Sequence, residues 1–222
     1  MKKLRKAEER IFFSMEDIFK NKSRRLHDPL FIGNEKKYLS DCITSGYVSY
    51  VGKYVNIFEK KLSLYTKSKH SVATSSGTAA LHLVLKYFKC NSNDEIIVPS
   101  LTYVATANAV KYCNSMPNFV DIEPETLGIC PVKLENYLRK TTRKIGKHYF
   151  NKKSKKKIKA LITVHLYGFP SRIFEIKKIC KKYNIILIED AAEALGSFFK
   201  TIASDARLVA PGSVIIAWTT GW

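Results

Sequence analysis

Ile185-Ile186-Leu187-Ile188-Glu189-Asp190-Ala191-Ala192-Glu193 places four branched apolar residues directly before two carboxylates. An unbroken apolar run of this length reads as a strand buried on both faces, the type found inside a parallel sheet covered by helices. The acids then fall at the carboxyl end of that strand, the edge where open α/β sheets bind their ligands. A carboxylate held there is costly unless a positive group meets it. A protonated ring nitrogen of a cofactor is one such group.

Upstream of this strand the chain alternates between two periodicities. Strands are expected at 71–74, 95–98, 118–122, 160–165 and 185–189, and helices between them at 78–88, 104–112, 132–139 and 173–183. Strands alternating with helices predict an α/β fold with a mostly parallel sheet. Two further helices are expected before it, at 35–45, stopped by Gly46, and at 53–65, opened by Gly52. Residues 1–30 are polar and weakly periodic and read as an N-terminal arm, and the lysine-rich segment 141–159 reads as one long irregular insert. From Thr201 to Trp222 the character changes to one acid, one base and an isolated strand-like run at 214–218, so the sheet is expected to be incomplete at its C-terminal end.

Of the 222 residues, 45% are hydrophobic, enough for one substantial domain, 31–200, between the arm and the tail. No apolar run approaches the roughly 20 residues of a membrane helix. The basic start carries only Ile11-Phe12-Phe13 as an apolar core, too short for a signal peptide, so a cytoplasmic protein is expected, with no membrane partner. Five cysteines, at 42, 90, 113, 130 and 180, form no C-x-x-C pair and lie in or beside apolar segments, as buried reduced thiols do. The net charge of +19 comes from 30 lysines and 8 arginines. Nucleic-acid recognition favours arginine, so a solvated lysine surface that attracts a small anionic substrate is the preferred reading, with no nucleic-acid partner.

Three other strand ends carry polar groups. Ser75-Ser76-Gly77-Thr78-Ala79 leads from a strand into a helix, where backbone amides, the helix dipole and the Thr78 hydroxyl suit an anion. It is neither a dinucleotide fingerprint nor a P-loop, and taken alone it is an ordinary helix cap. Tyr103, in Pro99-Ser100-Leu101-Thr102-Tyr103, sits where an aromatic ring can stack on a planar cofactor or simply pack the sheet edge. His165 ends the fourth strand, a place where histidine is more often structural than catalytic. The remaining histidines show no metal-ligand spacing, so no metal is expected.

In order along the chain, Ser76-Gly77-Thr78-Ala79-Ala80-Leu81, Pro99–Asn108, Phe119-Val120-Asp121-Ile122 and Glu189-Asp190-Ala191-Ala192-Glu193-Ala194-Leu195-Gly196 resemble successive blocks of the DegT/DnrJ/EryC1/StrS family. These are sugar aminotransferases that use pyridoxal 5'-phosphate (PLP) on an aspartate-aminotransferase-like fold, PLP fold type I. Residues 28–38 and Glu193-Ala194 resemble the branch serving legionaminic-acid-type nonulosonate synthesis. The resemblance implies that Asp190 pairs with the PLP pyridinium nitrogen, that Tyr103 lies against the ring, and that Gly77, Thr78 and Ala79 hold the phosphate. Glu193 takes the place of a Gln or His near the ring hydroxyl and needs either a proton or a donor, while His165 lines the pocket. Residues 46–52 resemble a segment that helps form the sugar site near the subunit boundary.

The family's Schiff-base lysine lies in a Ser-Phe-x-x-x-Lys block beyond the acid motif. Here the last lysine is Lys200, in Ser197-Phe198-Phe199-Lys200, and the residues after it match nothing expected, as in a truncated or frameshifted reading frame. No catalytic residue is therefore assigned. The implied reaction is transfer of an amino group, from glutamate, to a nucleotide-linked 4-keto-6-deoxy sugar in a homodimer. The chain itself is expected to be inactive, and a non-catalytic module that keeps a PLP or nucleotide-sugar pocket is the alternative.

Overall fold

The computed structural model describes residues 31–197 and the backbone of a short strand at 214–216. The expected arm and most of the expected tail lie outside the described residues. The chain divides into two compact units, 1–46 with 220–222 and 47–219. The described part of the first unit is one helix, α1 (Glu35–Ser45), which ends where Gly46, at φ +72°, turns its amide back onto the Ile43 carbonyl.

The second unit holds the alternating pattern. Helix α2 (Lys53–Thr66) precedes α3 (Gly77–Tyr87), β1 (Asp94–Pro99), α4 (Val104–Tyr112), β2 (Met116–Val120) and α5 (Pro131–Thr141). Strands β3 (Thr142–Ile145), β4 (His148–Asn151) and β5 (Lys157–Val164) follow, then α6 (Ile173–Tyr183), β6 (Ile186–Asp190) and β7 (Val214–Ile216). Strands β2, β1, β5, β6 and β7 pair in that order, every pair parallel.

Alternation along these strands divides the core. Ile96, Val98, Ala160, Ile162, Val164 and Ile188 pack on Leu81 and Leu85 of α3 and on Ala109 and Val110 of α4. Ile97, Leu161 and Leu187 face the other way, onto Leu134 and Leu138 of α5 and Ile173, Ile176 and Ile179 of α6. Helices thus cover both faces, which is why the central strands read as continuous apolar runs. Burial pushes the Cys90 thiol up to about 11 and the Cys180 thiol up to about 12, so both stay protonated at neutral pH.

Three expectations change. Residues 71–74 run without ladder partners, and the Ala73 amide donates instead to Glu59 Oε1 of α2 at 2.7 Å. The run at 214–218 is not isolated, because β7 adds to the sheet beside β6, with Ile188 opposite Val214 and Asp190 opposite Ile216. Segment 141–159 is not irregular. It forms the antiparallel β3–β4 hairpin and the first residues of β5. Gly146, at φ +58°, opens the two-residue turn between Ile145 and His148, a place that favours glycine in a hairpin. Lysine abundance hid this alternation.

The hairpin is locked to the sheet through one buried acid. Glu95, 1% exposed, accepts from Asn118 Nδ2 at 2.8 Å and Asn151 Nδ2 at 3.0 Å, and Ser154 Oγ donates a short bond to its other oxygen. Tyr137 Oη donates in turn to Asn118 Oδ1 at 2.9 Å. One carboxylate therefore joins β1, β2, β4 and the following loop. Glu95→Ala leaves these donors unsatisfied and is expected to cost about 3 kcal/mol in urea unfolding. Unchanged stability would show that the hairpin is held by something else.

Candidate active site

Helix α3 leads into β1 through a short connection, so its N-terminus lies at the carboxyl edge of the sheet, and α4 starts at that edge directly after β1. Ser76 caps α3: its Oγ accepts from the Ala79 amide at 3.1 Å, and the Ala80 amide bonds to the Ser76 carbonyl at 3.0 Å. Among the described residues, the Gly77 and Thr78 amides and the Thr78 hydroxyl have no hydrogen-bond partner, which leaves an open anion position on the helix dipole. Tyr103 precedes α4 in extended conformation and is 76% exposed at the same edge.

Asp190 ends β6 and shares the face of Ile188, the α3/α4 side. It is 7% exposed, and no Lys or Arg among the described residues pairs with it. Among the described residues its side chain is met by a single hydrogen bond, Oδ1 accepting from the Ala192 amide at 3.2 Å. Desolvation by burial raises the carboxyl from 3.8 to about 6, against smaller lowering effects of that amide and of His165. An open anion cradle, an exposed aromatic and a buried acid short of a cation therefore share one edge and one face.

The other acid is not part of this set. Successive strand residues face opposite ways, so Glu189 joins Thr163 and His165 on the α5/α6 side. His165, 1% exposed, accepts from the Ser171 amide on Nδ1 at 3.0 Å, so its proton sits on Nε2, facing Glu189 Oε2 at 3.3 Å. Both ring nitrogens are engaged inside the fold. His165 reaches Asp190 through its backbone, its amide donating to the Asp190 carbonyl at 3.0 Å. The histidine expected to line the pocket also braces the strand end, and the two adjacent acids take opposite faces of the sheet. Sequence reasoning missed this brace, although the two-residue period from Thr163 to His165 signals it.

Glu193 meets the donor it needed. Its Oε2 accepts from the Tyr167 amide at 2.7 Å, in a turn where Tyr167 and Gly168 have φ of 53° and 79°. A Cβ on Gly168 would come within 3.2 Å of the Glu193 carbonyl oxygen, so glycine is needed there for space as well as for its backbone. Among the described residues there is no cluster of metal-ligating side chains.

Residues 31–204 match the model of the DegT/DnrJ/EryC1/StrS aminotransferase family. The chain belongs to this family. Its relatives include GDP-perosamine synthase of Vibrio cholerae, 40% identical over 172 residues, which are 78% of this chain and 42% of that protein. Among solved structures, a DegT DnrJ EryC1 StrS aminotransferase from Brucella abortus superposes with a TM-score of 0.65 at 30% identity, over 72% of this chain and 40% of that one. The PLP form of Streptococcus pneumoniae Spr1654 gives a TM-score of 0.64 at 27% identity, over 80% and 45%. The chain spans about two fifths of the length of the curated relatives it matches. The family is PLP-dependent, and its fold is the aspartate-aminotransferase-like α/β fold that the strand order builds here.

A carboxyl with a raised pKa holds its proton more tightly folded than unfolded, so its contribution to stability is full below pH 3.8 and is lost as pH rises through about 6. Asp190→Asn removes the ionised form, which no Lys or Arg among the described residues pairs. In the absence of ligand it is expected to be more stable than the parent at pH 7 by up to about 3 kcal/mol, with no gap near pH 4. Denaturant titrations at the two pH values check this; a variant no more stable at pH 7 would mean that Asp190 already has a cationic partner.

Proposed function

We propose that this chain contributes the PLP-binding part of a sugar aminotransferase acting on a nucleotide-linked 4-keto-6-deoxy sugar, with glutamate as amino donor. The observation that carries the reading is the buried Asp190 carboxyl, raised to about 6 and without a Lys or Arg partner among the described residues, on the same face as an open anion cradle. A protonated pyridine nitrogen supplies the missing charge, and a phosphate suits the free amides of Gly77 and Thr78. When bound, PLP supplies an electron-withdrawing ring that stabilises negative charge developing on the carbon next to the amino nitrogen.

The chain's own residues do the rest. Asp190, once ionised, holds the proton on the ring nitrogen. The Ala192 amide and the His165 amide fix the Asp190 side chain and backbone. Gly77, Thr78 and Ala79, on the helix start capped by Ser76, would hold the phosphate, and Tyr103 would lie against the ring. Glu193 accepts from the Tyr167 amide and orders the loop after β5.

A nucleotide-sugar substrate is supported by the GDP-perosamine synthase relatives. Synthesis of cell-surface or nonulosonate sugars, a homodimer and a cytoplasmic setting complete the reading. A second form of the reading is a module in which these 222 residues keep a PLP pocket without turnover.

Titration with PLP, followed by ring absorbance and by borohydride reduction with mass spectrometry, tests both forms. Saturable binding that Asp190→Ala weakens at least about tenfold is expected, with no pyridoxyl–lysine adduct. A reduced adduct on a lysine would overturn the non-catalytic form. Equal binding by the variant would overturn the role of Asp190.

A further inference from the structure

The amino edge of the sheet, opposite the candidate site, carries a second concentration of chemistry. Between Asn136 and Phe174 the sequence has nine lysines, three arginines and no Asp or Glu. The fold gathers most of them at one place, because β4 meets β5 at Phe150 opposite Lys157, the first residue of β5. The hairpin therefore lies at the start of β5, and the candidate site at its end, roughly 23 Å away for eight residues of strand.

Hydrogen bonds order this basic edge. Lys152 Nζ donates to the Lys140 carbonyl at 2.8 Å, Lys155 Nζ to the Lys152 carbonyl at 2.6 Å, and Lys156 Nζ to the Ser92 carbonyl. At the other end of the hairpin, Asn184 Nδ2 donates to the Lys147 carbonyl at 2.9 Å, which brings the turn to the last turn of α6 with Lys181 and Lys182. The carboxylates nearby are already engaged. Asp94 pairs with Lys159 at 3.0 Å, Glu135 with Lys182 at 2.5 Å, and Glu95 is buried in its own network. Arg143, Lys144, Lys147 and Lys153 remain exposed. Lysines in the last turns of helices offset the helix dipole, but a hairpin has no such dipole to offset.

The turn also presents an aliphatic side chain. Ile145, 49% exposed, stands between Lys144 and the Gly146-Lys147 turn. The hairpin aromatics point elsewhere: Tyr149 packs on Tyr183 with ring centroids 4.7 Å apart, and Phe150 is half-buried. Lysine-dominated charge with no exposed aromatic platform suits neither base readout nor stacking on single strands. An aliphatic tip set among lysines suits a bilayer whose surface is anionic, with charge supplying attraction and Ile145 entering the headgroup layer.

We propose that the β3–β4 hairpin and the following loop, Thr142 to Lys156, form a peripheral docking surface for an anionic lipid bilayer. Docking there leaves the carboxyl edge of the sheet facing away from the bilayer. Attraction is electrostatic, so it fades as salt rises, and it needs no membrane-spanning segment.

Co-sedimentation of the full chain with vesicles tests this. One set is pure phosphatidylcholine; the other is an equal mixture of phosphatidylcholine and phosphatidylglycerol. Binding to the anionic set is expected to exceed that to the neutral set at least about tenfold and to vanish between about 0.05 M and about 0.5 M NaCl. The triple variant K144E/K147E/K153E should lose at least about tenfold, and Ile145→Ser about threefold, with unchanged thermal midpoints. Equal binding to both vesicle sets, full binding by the triple variant, or tighter binding to a DNA duplex than to anionic vesicles would each overturn the proposal.

Discussion

Burying the Asp190 carboxyl at the end of β6 is the constraint around which the carboxyl edge is built. Its oxygens lie in a place that water barely reaches, and one weak amide contact does not repay the loss of hydration. The carboxyl responds by holding its proton, which is why it is pushed up to about 6. A protein that simply needed stability would place Asn or Leu there. Keeping an aspartate at that position makes sense if the missing charge arrives with a ligand, and the open amides of Gly77 and Thr78 on the same face give that ligand an anionic end to hold.

The supports of this acid come from the opposite face. The His165 ring, fixed between the Ser171 amide and Glu189, holds the end of β5, and its backbone amide holds Asp190 in register. Glu193 draws the loop after β5 inward through the Tyr167 amide. The polar contacts of His165 and of Glu193 thus order the two chain segments that flank one carboxylate. At the far edge, Glu95 does similar work for the hairpin, there with its hydrogen-bonding capacity met by side chains.

Much of this was legible in the sequence because the alternating pattern is strong. The helices at 104–112 and 173–183 fall on the expected residues, and β1, β5 and β6 differ from expectation by no more than a few residues at their ends. The candidate site residues on the α3/α4 face were legible because each closes a strand or opens a helix. Two features were not. Period-two alternation sends Glu189 and Asp190 to opposite faces, a consequence hidden when adjacent acids are read as a pair. The hairpin was hidden because lysine substitutes freely on a solvated strand face, leaving only Gly146 and the Tyr149-Phe150 pair as signals. Segment 71–74 shows the converse: a stretch of small and β-branched residues joins no ladder where the Ala73 amide is taken by Glu59.

The most direct measurement is a carbon-13 NMR titration of the Asp190 side-chain carboxyl, with and without saturating PLP. The free protein is expected to titrate near 6, and the PLP-bound protein well below that as the pyridinium supplies the charge. A carboxyl that titrates at the same pH in both samples would contradict the assignment of Asp190 as the partner of the cofactor ring.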